Sequence, residues 1–138
     1  TKAREADGYV FGSLVYYAHP SGQLLAVMDR LFMAGGDIFF HKPAAAIVTA
    51  RRAGTTASLD AIQKHFADAQ MPVVSSTYWN MVFGPSPGLV EQDQEGLQTM
   101  RNIGRNMAWM LRCIAAGKEN GILPPEAETQ YWSSFNRG

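Results

Sequence analysis

The chain has 138 residues, 46% hydrophobic and 17% charged, with twelve basic and twelve acidic side chains that cancel to a formal net charge of +0. That is chain enough for one domain over residues 1–138 with a single core, and the balance is neither that of a disordered segment nor that of a membrane-spanning one. Zero net charge gives no field toward nucleic acid or an anionic bilayer. A lone cysteine, Cys113, excludes an internal disulfide and a cysteine-only metal site, so the cytoplasm is the expected compartment.

Thr1-Lys2-Ala3-Arg4-Glu5-Ala6 reads as the last turns of a helix already under way, and we therefore expect further sequence upstream. Tyr9 to Tyr17 is a near-continuous apolar run, as in a parallel strand covered on both faces. Ser21 then caps a helix whose apolar face is Leu24, Leu25, Met28, Leu31 and Phe32, ended by Gly35-Gly36. Pro43 introduces a second strand, Ala44 to Ala50. The loop Arg51-Arg52-Ala53-Gly54 follows, and Thr55 or Thr56 caps a helix burying Leu59, Ile62 and Phe66 that stops at Met71-Pro72.

A third strand is expected over Val73-Val74-Ser75-Ser76-Thr77, running into Tyr78-Trp79-Asn80. The loop Gly84-Pro85-Ser86-Pro87-Gly88 leads to the longest helix, Gln92 to Gly117, with Leu97, Met100, Ile103, Met107, Met110 or Leu111, and Ile114 on its core face. Glu91, Asp93 and Glu95 sit near its positive end, where the helix dipole favours them. The tail beyond Pro124-Pro125 carries Tyr131, Trp132 and Phe135 and reads as a packing arm. The order β-α-β-α-β-α implies a parallel α/β sheet with an edge that needs covering.

In open α/β sheets, ligands collect beyond the carboxyl ends of the strands. Those ends here gather tyrosines, a tryptophan, two arginines and several hydroxyls. The set suits a flat, hydrogen-bonding, electron-accepting ligand, with aromatic walls for stacking and arginines for anionic groups. Strand ends that bind nothing also carry small polar residues, so spacing alone leaves the choice open.

Ala6-Asp7-Gly8-Tyr9-Val10-Phe11-Gly12-Ser13-Leu14-Val15-Tyr16-Tyr17, with Ser21-Gly22-Gln23-Leu24 and Met28-Asp29-Arg30-Leu31-Phe32, resembles the middle of the NADPH-dependent FMN reductase family. Arg51-Arg52-Ala53-Gly54-Thr55-Thr56 resembles that family's second flavin loop, and Ser76 to Val82 its last strand. Glu95 to Arg101 and Gly104 to Trp109 resemble its final helix. The resemblance implies a flavodoxin-like fold, of which this chain is the C-terminal part, non-covalently bound FMN, NADPH or NADH as electron donor, and a homo-oligomer, dimeric or tetrameric.

By the same resemblance, Ser13, Leu14, Val15, Tyr16, Tyr17 and Ala18 lie along the isoalloxazine, and Arg51, Arg52 and Gly54 close over another side; Trp79 and Asn80 stand on a strand end facing the flavin rim, with a flavin contact and plain packing equally open. The flavin supplies the hydride chemistry, so no side chain is assigned as a catalytic acid or base. Two departures stand out: Leu14 where the family shows proline, and Ala53 where it shows glycine. The family's phosphate loop and the cysteine clusters of its iron–sulfur relatives would precede residue 1.

His19, His41 and His65 share no metal-ligand spacing; His19 reads as a loop histidine, and His41 and His65 as surface residues. Cys113 reads as packing beside the buried stripe of the long helix. Arg101, Arg105 and Arg112 read as a solvated face or subunit contact rather than a dinucleotide site, and Asp29-Arg30 as an ion-pair or interface element. The expected function is an FMN-dependent NAD(P)H oxidoreductase serving free flavin, a quinone or another small acceptor. A flavodoxin-type electron carrier and a flavin-free oligomerisation module are the alternatives.

Overall fold

The computed structural model describes residues 2–86 and 88–131; Pro87, Trp132 and Phe135, named above, lie outside the described residues. A one-turn helix α1 (Lys2–Glu5) leads into strand β1 (Tyr9–Tyr16). Tyr17 and Ala18, at φ of 50° and 60°, turn the chain back into a short strand β2 (His19–Pro20), antiparallel to the end of β1. Left-handed angles at both positions match the twist of a two-residue hairpin, but glycine or asparagine normally occupies them. Nothing in Tyr17-Ala18 therefore announced this hairpin.

Helix α2 (Gly22–Gly35) begins where its cap was expected, Ser21 Oγ accepting from Leu24 N at 3.2 Å. A 3-10 turn (Gly36–Phe39) buries Phe39, and β3 (Ala44–Ala50) follows with the expected bounds. Helix α3 (Thr55–Asp68) is capped by left-handed Gly54 instead of a threonine; Thr55 is already helical and buried. Leu59, Ile62 and Phe66 are buried as expected.

The third strand differs from its expectation. Val73 makes one bridge to Ala44, and pairing resumes only with β4 (Met81–Phe83) beside Val48 to Ala50. Between them residues 75–79 leave the ladder, to which Asn80 returns by accepting from Val48 N at 3.0 Å, and another element satisfies the polar groups of Ser75, Ser76 and Thr77. That element is α4 (Gln94–Glu119). Ser76 Oγ donates to Thr99 O at 2.7 Å, Asn106 Nδ2 to Ser75 O at 2.8 Å, and Asn102 Nδ2 to Thr77 Oγ1 at 3.2 Å.

The sheet order is β2-β1-β3-β4, with β1–β3 and β3–β4 parallel. On one face α2 and α3 bury Met28, Phe39, Ile62 and Phe66 against Phe11 and Val15. On the other, Ile103 of α4 meets Ala45 and Val74. Helix α4 crosses diagonally: Gly96 packs on Val82, while Met107 and Leu111 close on Gly8 at the start of β1. The upper part of β1 is left bare on that face, with Leu14 54% and Tyr16 55% exposed. This corrects the expectation of a strand covered on both faces: among the described residues, only β3 fits it. Cys113 is exposed rather than packed, and Ile114 is partly exposed.

Asp93 ties the last strand to the last helix. One carboxylate oxygen accepts from Gly96 N at 2.9 Å, and the other from Phe83 N at 2.8 Å. Loss of a cap costs about 1 kcal/mol, and the exposed Phe83 N–H is then taken up by water at little further cost. Asp93→Ala is expected to cost about 1–2 kcal/mol in urea denaturation, with Asp93→Asn, which keeps one acceptor, losing less.

Candidate functional site

Three strand ends meet at one rim: the Tyr17-Ala18 turn after β1, residues 51–54 after β3, and Gly84 after β4. The first two touch. Gly54, at φ 90°, lies so close to the turn that a Cβ there would sit 2.4 Å from Ala18 Cα and 2.9 Å from Val15 Cγ1. Only a residue without a Cβ serves both demands, the left-handed backbone and the close approach. The two loops expected to flank one ligand are thus a single packed unit.

Ser13 fixes the other side of the turn. Its hydroxyl accepts from Ser21 N at 2.9 Å and donates to Leu14 O at 2.8 Å, anchoring the start of α2 to β1. Val15 points into the core, so it offers the rim its backbone alone, whereas Leu14 and Tyr16 face the bare side of the sheet. Tyr17 is fully exposed at the tip, and Arg51 and Arg52 are exposed on the loop that follows β3. Among the described residues the one contact at salt-bridge distance is His65 Nε2 with Asp29 Oδ1, so neither arginine is spent on a carboxylate.

Beneath the rim runs a groove of about 460 Å³ between β1 and α4, floored by Gly12, Leu14, Ile47 and Val82 and walled by Thr49 and Met100. Thr49 and Met100 were not anticipated. The pairing of Leu14 with Thr49 points to Thr49 once the register is known, whereas helical spacing alone places Met100 on the core face and carries no sign of the groove.

Trp79 does not join this set. It precedes β4 instead of following it, stands edge-on to Tyr78 at 4.9 Å, and lines a separate groove with Leu59 and Gln63 of α3. The expected strand end at Thr77 to Asn80 is in fact the excursion before β4, and the true end is Phe83-Gly84. Of the residues singled out in the sequence, the structure brings together Ser13 to Ala18 with Gly54, places Arg51 and Arg52 on the same loop, and sets Trp79 apart.

His65 is more than a surface residue: Nε2 lies 2.9 Å from Asp29 Oδ1, Nδ1 is buried without a partner, and the ring tilts over Phe32 at 5.4 Å. Asp29 therefore serves an inter-helix pair across α2 and α3. Tyr9, far from the rim, has its phenol raised above the ordinary value of 10.0 by burial and by Asp7. Among the described residues no three His, Cys, Asp or Glu side chains are grouped to hold a metal ion, and no helix is long and apolar enough to cross a membrane.

A family model described as NADPH-dependent FMN reductase matches residues 1–85. An iron-sulfur flavoprotein of Methanocaldococcus jannaschii is 32% identical over 121 residues, covering 82% of this chain and 63% of that protein. The chain thus spans less than two thirds of that relative's length. Among solved structures, the flavodoxin WrbA-like protein from Agrobacterium tumefaciens superposes with a TM-score of 0.59 at 18% identity, over 75% of this chain and 68% of the other. A flavodoxin from the domain Archaea gives 0.55 at 15% identity over 80% and 68%. RosB with bound 8-demethyl-8-formylriboflavin-5′-phosphate gives 0.58 at 15% identity over 99% and 66%. The fold is flavodoxin-like.

Proposed function

This chain belongs to the NADPH-dependent FMN reductase family, and from that membership we propose that it is the flavin-facing part of an FMN-dependent NAD(P)H oxidoreductase. Electrons pass from NADPH or NADH to free flavin, a quinone or another small acceptor in the cytoplasm, and the protein works as a homo-oligomer. The observation that carries the reading is the packing of Gly54 on Ala18, which joins the two loops a flavin would need on either side of its ring.

The residues fit the isoalloxazine end of FMN. Of Ser13 to Ala18, the Tyr17-Ala18 turn lies outside the strand pairing and supplies backbone polar groups at a ring edge, Tyr16 and Tyr17 supply aromatic surface, and Arg51 and Arg52 supply positive charge. Ser13 keeps the turn in place through Ser21, and Gly54 keeps the second loop against it. Bound FMN supplies hydride and single-electron chemistry, so the protein's part is position and electrostatics.

The purified protein is expected to be yellow, to release FMN on denaturation, and to lose its visible flavin absorbance when NADPH or NADH is added without oxygen. Steady oxidation of the nicotinamide in the presence of free flavin or a quinone completes the test. A flavin that neither nicotinamide bleaches leaves the electron-carrier reading in its place, and a colourless protein that takes up no FMN removes both.

A further inference from the structure

Beyond Ile122, whose N–H returns to Gly117 O, residues 123–131 form no helix or strand and no backbone hydrogen bond among the described residues. Yet this stretch presents large apolar groups to water: Leu123 is 68% and Tyr131 87% exposed. Pro124-Pro125 favours an extended backbone at little entropic cost, and Glu126 and Glu128 make the segment acidic. An exposed, extended, apolar and acidic segment is built to lie on something.

The opposite chemistry is found at the pole of the sheet away from the flavin rim. A groove of about 540 Å³ between the start of β3 and the end of α4 is floored by Phe40, Leu111 and Ile114, and rimmed by Lys42, Arg112 and Lys118. Asp7 is the one acidic residue there, and His41 adds a further polar group. Lys42 is held by the carbonyls of Ala6 and Arg4, so its charge is fixed in place. Pro124 lies at the mouth of this groove, so the tail leaves its own subunit where the groove begins. From Pro124 to Tyr131 an extended chain reaches roughly 23–25 Å, far enough to cross to a neighbour.

We propose that residues 125–131 are an exchange arm that seats in the Lys42–Arg112–Lys118 groove of a second copy of this chain, reciprocally about a twofold axis. The proposal rests on the homo-oligomeric reading above and gives it an interface. Glu126 and Glu128 meet the basic rim, while Tyr131 covers the apolar floor. Because each arm departs beside its own groove, two copies placed groove to groove exchange arms with no change in either fold, and the contact closes as a dimer.

Charge exchange tests this directly, read by sedimentation equilibrium on the full chain at low salt. One protein carries E126K and E128K, the other R112E and K118E; all four sites are exposed, and circular dichroism confirms that both fold. Each variant alone is expected to self-associate at least tenfold more weakly than wild type, and an equimolar mixture of the two is expected to recover wild-type association as a heterodimer. A wild type that is monomeric throughout overturns the oligomeric reading and the arm with it. An associating wild type whose variants are unchanged, or whose mixture gains nothing, overturns the arm alone.

Discussion

Replacing Phe66 with alanine is expected to cost about 3–5 kcal/mol, the usual range for removing a buried aromatic from a packed core. Phe66 is fully buried on α3, 5.5 Å from the Phe11 ring of β1 and 6.4 Å from the Phe32 ring of α2. It is thus the side chain that joins two helices to the strand carrying the candidate site. The aromatic cluster continues through Phe32 and Phe39, stacked at 4.4 Å, so its neighbours are themselves pinned and will not collapse to fill the space. A domain of this size has only about 5–15 kcal/mol of net stability, so the loss takes a large share of it. The thermal midpoint should fall by roughly 10–20 °C, with the urea midpoint moving and its slope unchanged. A change below about 1 kcal/mol would mean that Phe66 is not the packing centre its burial indicates.

How far the sequence reached depends on where each segment's hydrogen bonds go. Strand β3 was legible to the residue because it is buried on both faces and its partners are strands, so apolarity marks its whole length. Helix α2 was legible because Ser21 caps it within three residues. The last strand was not, since Ser75 to Thr77 are satisfied by Thr99, Asn102 and Asn106, more than twenty residues downstream, and no local pattern carries that information. Trp79 was misplaced for the same reason: with the strand broken, it stands before β4 and away from the rim.

The two loops of the candidate site were legible as segments. Their contact was not, because it turns on one backbone angle at Gly54 and on two left-handed residues that lack the usual turn chemistry. The bare face of β1 was hidden too. Val10, Leu14 and Tyr16 are as apolar as the residues that alternate with them, and the sequence does not say which side α4 covers.

Gly54→Ala puts that contact to its sharpest test, since it adds a single methyl group where the two loops meet. A Cβ at Gly54 would fall 2.4 Å from Ala18 Cα, and the obstructing atoms are backbone and the short side chain of Ala18, which cannot swing aside. The left-handed angle alone costs an L-residue about 1–2 kcal/mol, and displacing packed neighbours adds about 1–3 kcal/mol. The expected loss is therefore about 2–5 kcal/mol, with FMN affinity falling by at least tenfold if the loops share the flavin as proposed. The same change at Gly104 separates this from a general effect of alanine. Gly104 sits exposed within α4 with open space around it, so Gly104→Ala should stabilise the fold by about 0.5–1 kcal/mol through helix propensity and leave FMN binding alone. Opposite signs for one chemical change would establish that geometry at the rim, not composition, decides the outcome. If Gly54→Ala proves as stable as wild type, the loops do not meet as described. If it is destabilised but retains its flavin affinity, the loops meet without holding the ring between them.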